Sequence, residues 1–326
     1  MTRSSPGGLA KSDAERAGVY RAALQQFEEL MRAAESSGPA SRPLPLFYAL
    51  TQAGRAIVAV KGGAEHQGHG LRLGALEEQA LDTTVDVSTG GKRPGHFQAA
   101  ARALASPELV GAVPIGALVA SLPEMADTLL MHDDWPPALA IFEREWPHRV
   151  PTPGWIPVTI VVDEQGVSFD RLVAILEPYP SVKQRIGLPE VVKALGTVPT
   201  YPTPDGNGVG VMLKGATGDL DAAAPQYRIW GRRWLRPALG GAESPDPIMT
   251  WWALLYALSM YARYHPREWV AALNIDSSVV GVTLERAMDR AIGALPQLVL
   301  SAVLDSPFLL PPTEGVGPDP FGRGSQ

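Results

Sequence analysis

Apolar positions in this chain recur mainly at helical spacing, with a shorter stretch rich in β-branched residues in the middle. The clearest helical signal is residues 246–269, DPIMTWWALLYALSMYARYHPREW. Ile248, Trp251, Trp252, Leu255 and Leu258 form one stripe, spaced as one face of a helix. Met249, Leu254, Ala257 and Met260 make the opposite face nearly as apolar, which predicts burial on most sides. Asp246 is placed to cap the helix, and Pro247 suits its first position, where a missing N–H costs nothing. Pro266 should end it, because the residue before a proline avoids helical angles. The helix is too short to cross a bilayer, which takes about 20 apolar residues.

Other stretches follow the same logic. A helix is predicted over 12–34, with Ser12 and Glu15 at capping-box spacing and a stripe of Val19, Ala23, Phe27, Leu30 and Met31. A second runs over 46–61, with Leu46, Leu50, Ala53 and Ile57 on one side. Short helices interrupted by Pro114 and Pro123 are expected over 110–131. Near the end, 274–304 reads as a helix capped by Ser277 or Ser278 and kinked or divided by Pro296. Between these, IPVTIVVD at 156–163 is rich in β-branched residues and reads as a strand, with a turn at Gln165-Gly166. Residues 206–213 and 227–231 read as further strands, and 188–195 as a short helix.

The fold class that follows is mainly α with a small α+β middle segment, built on a multi-helix, bundle-like core. The expected organisation is a disordered N-terminus at 1–11 and a helical region at 12–149. A β-containing segment at 150–240 follows, then a C-terminal helical region at 241–305 that packs on the first. A flexible tail at 306–326, rich in proline and glycine, ends the chain.

Composition narrows the chemistry. Of 326 residues, 45% are hydrophobic and 19% charged, enough for a substantial core. A net charge of −6 gives no electrostatic reason to expect nucleic acid. There is no cysteine, which excludes disulfides, zinc–thiolate sites, iron–sulfur clusters and cysteine nucleophiles. No signal peptide is evident, so cytoplasmic residence without a membrane association is expected.

Candidate chemistry sits in a few clusters. His66 and His69, beside Glu65, offer two imidazoles in a glycine-rich loop at 62–70. Imidazole pairs bind zinc, but glycines 62, 63, 68 and 70 would not hold this pair rigid. The plainer reading is a loop in which His69 bonds backbone and Gly70 supplies a positive φ. His132-Asp133-Asp134 has the side chains of a metal-dependent phosphohydrolase without the further separated ligands such a site needs. Neither is read as a metal site, and no cofactor is expected. Gly206, Gly208 and Gly210 precede a strand, the wrong order for dinucleotide binding, and read as a hairpin turn.

Arg228, Arg232, Arg233 and Arg236 interleave with Tyr227, Trp230 and Trp234. That composition suits a protein interface or, less well, stacked bases and phosphates; the plainest reading is a solvated strand edge. At the end of the apolar helix, Arg263, His265 and Arg267 could hold an anion, with His265 as general base or ligand. The alternative there is a helix stop, with cations complementing the helix dipole.

Three separated motifs occur in order: LFYALTQAGRAI, His69-Gly70-Leu71, and MTWWALLYALSMYARYHPREWVAAL. On these the chain resembles the YaaC-like family over residues of about 15–305. The resemblance implies a bacterial, intracellular, mostly helical protein and transfers no catalytic residue. Helical families of similar look include HEPN-type RNases and accessory subunits of antiphage systems, a fold-level analogy only. Those RNases need an arginine followed by four to six residues and a histidine. Arg144 and His148 have three between them, Lys61 precedes His66 with the wrong cation, and Arg263 is too close to His265.

The expectation is therefore a non-catalytic binding or interaction component of a bacterial assembly, related to defence or stress. Its partner would be a protein, bound through Arg228, Arg232, Arg233, Trp234 and Arg267. The alternative is an enzyme acting on nucleotides or RNA, HEPN-like RNase or phosphohydrolase, through His69, Arg263 and His265. Convergence of those three groups on one place would separate the two.

Overall fold

A computed structural model describes residues 4–63, 67–89, 93–128, 135–143, 154–162, 164, 166–187, 198, 200–203, 206–214, 227–229, 232–276 and 278–305. The chain is mainly α with an α+β segment, divided into two compact units. The first takes the described residues of 4–135, 239–241 and 245–305; the second takes those between 136 and 238 with 242–244.

The helical unit starts earlier than its polar N-terminus suggests. A 3-10 turn occupies Gly8–Lys11, inside the stretch expected to be disordered, and Ala10 is buried. Helix α1 (Ala14–Ser36) is capped by Asp13, not Ser12: the Asp13 carboxylate accepts from the N–H of Glu15 and Arg16. A six-residue link at 37–42 turns the chain into α2 (Pro43–Lys61). That helix begins before Leu46 because Pro43 and Pro45 are tolerated in a first turn.

Helix α2 is buried nearly all round, and so is the helix of 246–269, whose observed limits are Pro247–Tyr264. Later in the chain it is α7, following α3 (His96–Ala103), α4 (Ile115–Ala120), α5 (Phe169–Leu176) and α6 (Pro180–Lys183). Its Asp246 cap accepts from Ile248 N–H at 2.8 Å. Thirteen of its residues are buried, Trp251, Leu254 and Leu255 among them. Helix α7 packs against α2, α3 and α4, so both faces read as apolar are covered. Pro266 ends α7 and is also the first residue of α8 (Pro266–Ala272), with His265 as the joint. Trp269 in α8 is 1% exposed and donates to Ala40 O.

Helix α9 (Val279–Leu304) runs unbroken across Pro296. By length and apolar content Val280–Leu304 could cross a membrane. Its Leu284, Ala287, Met288, Ala291 and Leu295 are instead buried in this unit. Arg286 and Arg290 both pair with Asp127, and Asp289 pairs with Arg42. A core helix of a folded unit has these contacts.

Within the region expected to be helical lies a small antiparallel sheet of β1 (Leu71–Leu73), β2 (Thr84–Val87) and β3 (Val113–Pro114), in that order. Strands of two to four residues are too short to show a period.

The second unit is a seven-stranded antiparallel sheet. Its strands are β4 (Leu139–Glu143), β5 (Trp155–Val162), β6 (Ile186–Gly187), β7 (Thr200–Thr203), β8 (Gly206–Lys214), β9 (Tyr227–Ile229) and β10 (Arg232–Leu235). The order is β6-β8-β5-β4-β10-β9, and β7 also pairs with β8. The sheet therefore begins at Leu139, before position 150. Gly206, Gly208 and Gly210 lie within β8, paired to β5 and β7, and are not a turn. Ile156, Val158 and Ile160 alternate on one face with Val209 and Val211 beneath Leu172 and Leu176 of α5. Ser168 caps α5 just after Gly166: a serine that follows a glycine turn can start a helix. The helix predicted at 188–195 and the tail at 306–326 lie outside the described residues.

Candidate functional site

Tyr256 and Arg263 are seven positions apart in α7, two turns, and so share a face. Helix α2 brings Phe47 and Tyr48 to that face, and the chain entering β1 brings His69. Residues 67–70, around His69, are held by hydrogen bonds despite their two glycines. Gln67 N–H donates to Pro94 O, Ser88 N–H to Gly70 O, His96 N–H to Gly68 O and Phe97 N–H to His69 O. Gln98 Nε2 adds bonds to Gly70 O and Ser88 O. Gly70 has φ +83°, and a Cβ there would lie 3.0 Å from Gly95 Cα and closer still to Gln98 Oε1. Only glycine permits this turn, and the turn fixes the imidazole.

The imidazole of His69 packs edge-on to Phe47, ring centres 5.2 Å apart, and against Tyr256 at 6.1 Å. Burial lowers its pKa below the ordinary 6.5, and the nearby charge of Arg263 lowers it further. His69 is therefore neutral at pH 7. Burial raises the Tyr256 pKa, and Arg263 opposes that rise.

Arg263 holds its guanidinium carbon 5.3 Å from the ring centres of both Tyr48 and Tyr264. Such cation–aromatic contacts hold a guanidinium in place without neutralising it. Its Nη1 lies 3.5 Å from Tyr264 Oη. Its Nη2 is buried and has no acceptor among the described residues, and no described carboxylate pairs with it. A buried cationic donor left without an acceptor marks a place for water or an anion.

His265 belongs to a different set of rings. It ends α7 by donating its N–H to Tyr261 O, and its imidazole packs on Tyr261 at 6.3 Å. Tyr261 in turn contacts Trp269 and hydrogen-bonds Thr83. His69 and Arg263 thus come together, while His265 serves the joint between α7 and α8. Arg267 is exposed on α8.

The arginine–aromatic segment is less of a surface than its composition suggests. Trp234 is 3% exposed and packs with Ala138, Ala140, Phe142 and Val161. Arg236 is 6% exposed, and Arg233 lies 3.9 Å from Glu143. Both faces of β10 are covered, Trp234 in one cluster and Leu235 in the other, so Trp234 takes a packing role where a surface anchor was expected. The side chains of Arg228 and Arg232 lie outside the described residues, as do Glu65, His66 and 132–134. Among the described residues no group of three or more His, Asp or Glu could hold a metal ion. Sequence reasoning missed Tyr48, Tyr256 and Tyr264; the seven-residue spacing of Tyr256 and Arg263 was the available signal.

A family model described as YaaC-like Protein matches residues 9–303. No curated protein and no solved structure matches the chain.

Proposed function

The chain belongs to the YaaC-like family, and we propose that it is a non-catalytic binding component that captures a small anionic ligand at Arg263 and His69. The proposed setting is a bacterial intracellular assembly. The observation that supports this reading is the buried, unaccepted Nη2 of Arg263, held between two tyrosines and free of any described carboxylate. Phosphate, sulfate and carboxylate oxygens match a guanidinium fork with two parallel hydrogen bonds. Burial lowers the His69 pKa and the nearby charge of Arg263 lowers it further, so offsetting that charge makes the imidazole easier to protonate.

Sulfate is the simplest probe, because its charge does not change near neutral pH. In titration calorimetry Arg263→Gln should weaken sulfate about tenfold or more, with the melting temperature little changed. Arg263→Lys should recover only part of the affinity, since an ammonium lacks the fork. Unchanged affinity in Arg263→Gln sinks the reading. Adenosine monophosphate incubated with the protein should be recovered intact; turnover that Arg263→Gln abolishes would favour the enzymatic alternative instead.

The pH dependence has two opposite signs. A depressed His69 pKa means the unfolded chain binds this proton more readily, so apoprotein stability falls as pH drops below about 6.5. A bound anion screens Arg263 and raises the His69 pKa, so by linkage sulfate should bind more tightly over the same range. His69→Gln should flatten both trends. A wild-type sulfate affinity independent of pH between about 7.5 and 5.5 would remove His69 from the site.

A further inference from the structure

The opposite side of α7 lines a cavity of about 660 Å³ at Tyr261. Leu81, Tyr261 and Thr283 form its buried inner wall. Glu77, Glu78 and Glu268 stand at its exposed mouth. No lysine, arginine or histidine lines it. None of the three carboxylates has an ion-pair partner among the described residues. The volume falls in the range of small-molecule sites, about 300–1,000 Å³.

A second observation is independent of the acids. Thr283 is 3% exposed, lies within α9 and lines the cavity. Its hydroxyl has no hydrogen-bond partner among the described residues, whereas buried Thr51 and Ser259 each bond a backbone carbonyl. A hydroxyl on a buried residue that faces a cavity without a protein partner is an unused polar contact. The Tyr261 hydroxyl at the same wall is already held by Thr83 Oγ1 at 2.7 Å. That bond fixes the ring and its position against the cavity.

We propose that this cavity binds a small organic cation, an ammonium group on an aliphatic body. The aliphatic part lies against Leu81, Val280 and the Tyr261 ring, an ammonium meets Glu77 and Glu268 at the mouth, and a polar atom of the ligand reaches Thr283. An inorganic cation lacks the body that the apolar wall requires, and a neutral chain lacks the charge that the mouth selects. The site is separate from Arg263, which does not line it.

Spermidine is the probe, with 1,8-octanediol and Mg²⁺ as the neutral and inorganic comparisons. Calorimetry on the full chain should give saturable spermidine binding, with both comparisons much weaker. Glu268→Gln should weaken spermidine about tenfold, the effect of one lost charge-assisted hydrogen bond. Thr283→Val, nearly the same volume without the hydroxyl, should weaken it severalfold with the melting temperature held. Glu15→Gln on α1 makes the same charge change away from the cavity and should have no effect. An equal loss in Glu15→Gln, or no loss in both cavity variants, overturns the proposal, as does Mg²⁺ binding as tightly as spermidine.

Discussion

Trp251→Ala is expected to cost the helical unit about 3–5 kcal/mol, followed by circular dichroism during urea unfolding. Trp251 is fully buried in the N-terminal part of α7, so truncation opens a cavity that neighbours on α2 and α4 can only partly fill. Its Nε1 also faces Glu124 Oε1 at 3.4 Å, and Glu124 is 1% exposed. Losing that donor adds the cost of a buried carboxyl with one partner fewer, about 1–3 kcal/mol. Trp251→Phe separates the two contributions: it keeps most of the ring volume and removes the N–H. The phenylalanine variant should therefore lose clearly less than the alanine variant. Equal losses would make the hydrogen bond the larger effect. A loss below about 1 kcal/mol in Trp251→Ala would place the helix on a surface.

What was legible in the sequence was whatever a single element decides for itself. Asp246, Pro247 and all-round apolarity define α7 without reference to the rest of the chain, and the structure has that helix from Pro247 to Tyr264. The β-branched run in 156–163 likewise marks β5, and the fold class followed from these elements. What was not legible depends on partners. Strands β1 to β3 exist because each has a neighbour to bond, not because of any pattern in so few residues. The Gly206-x-Gly208-x-Gly210 run looks like a turn until β5 and β7 are placed on either side of it. Trp234 looked like a surface anchor because arginines surround it in sequence; its strand partners are Ala140 and Tyr227, and it packs with Ala138 and Ala140.

The candidate site divides in the same way. His69, Arg263 and His265 are the right residue types to single out, but their grouping is a tertiary fact. Arg263 leans toward His69 because it shares a face with Tyr256. His265 cannot follow, because it closes the helix and packs on Tyr261. The backbone bonds that pin residues 67–70 to residues 88–97 link strand to helix across chain distances that no local pattern records.

Gly54→Val should cost about 3 kcal/mol, and the reason lies on α7 and not in α2 itself. Helix propensity alone favours replacing glycine, by up to about 1 kcal/mol for alanine and less for valine. Packing opposes this. A Cβ on Gly54 would lie 2.3 Å from Trp252 Cη2 and 2.5 Å from Cζ3, and the indole is 1% exposed, with Phe97 edge-on at 6.4 Å. The ring has little room to withdraw, so α2 and α7 must separate or the ring must leave its rotamer. Trp252 Nε1 has no hydrogen-bond partner among the described residues, so no bond there needs to be kept while the ring is changed. Trp252→Phe removes the atoms that collide. Combined with Gly54→Val, it should cost less than the sum of the two single changes, by about 1–2 kcal/mol in a double-mutant cycle. A stabilised Gly54→Val, or a cycle that closes with no coupling, would show that the two helices are farther apart than Gly54 and Trp252 place them.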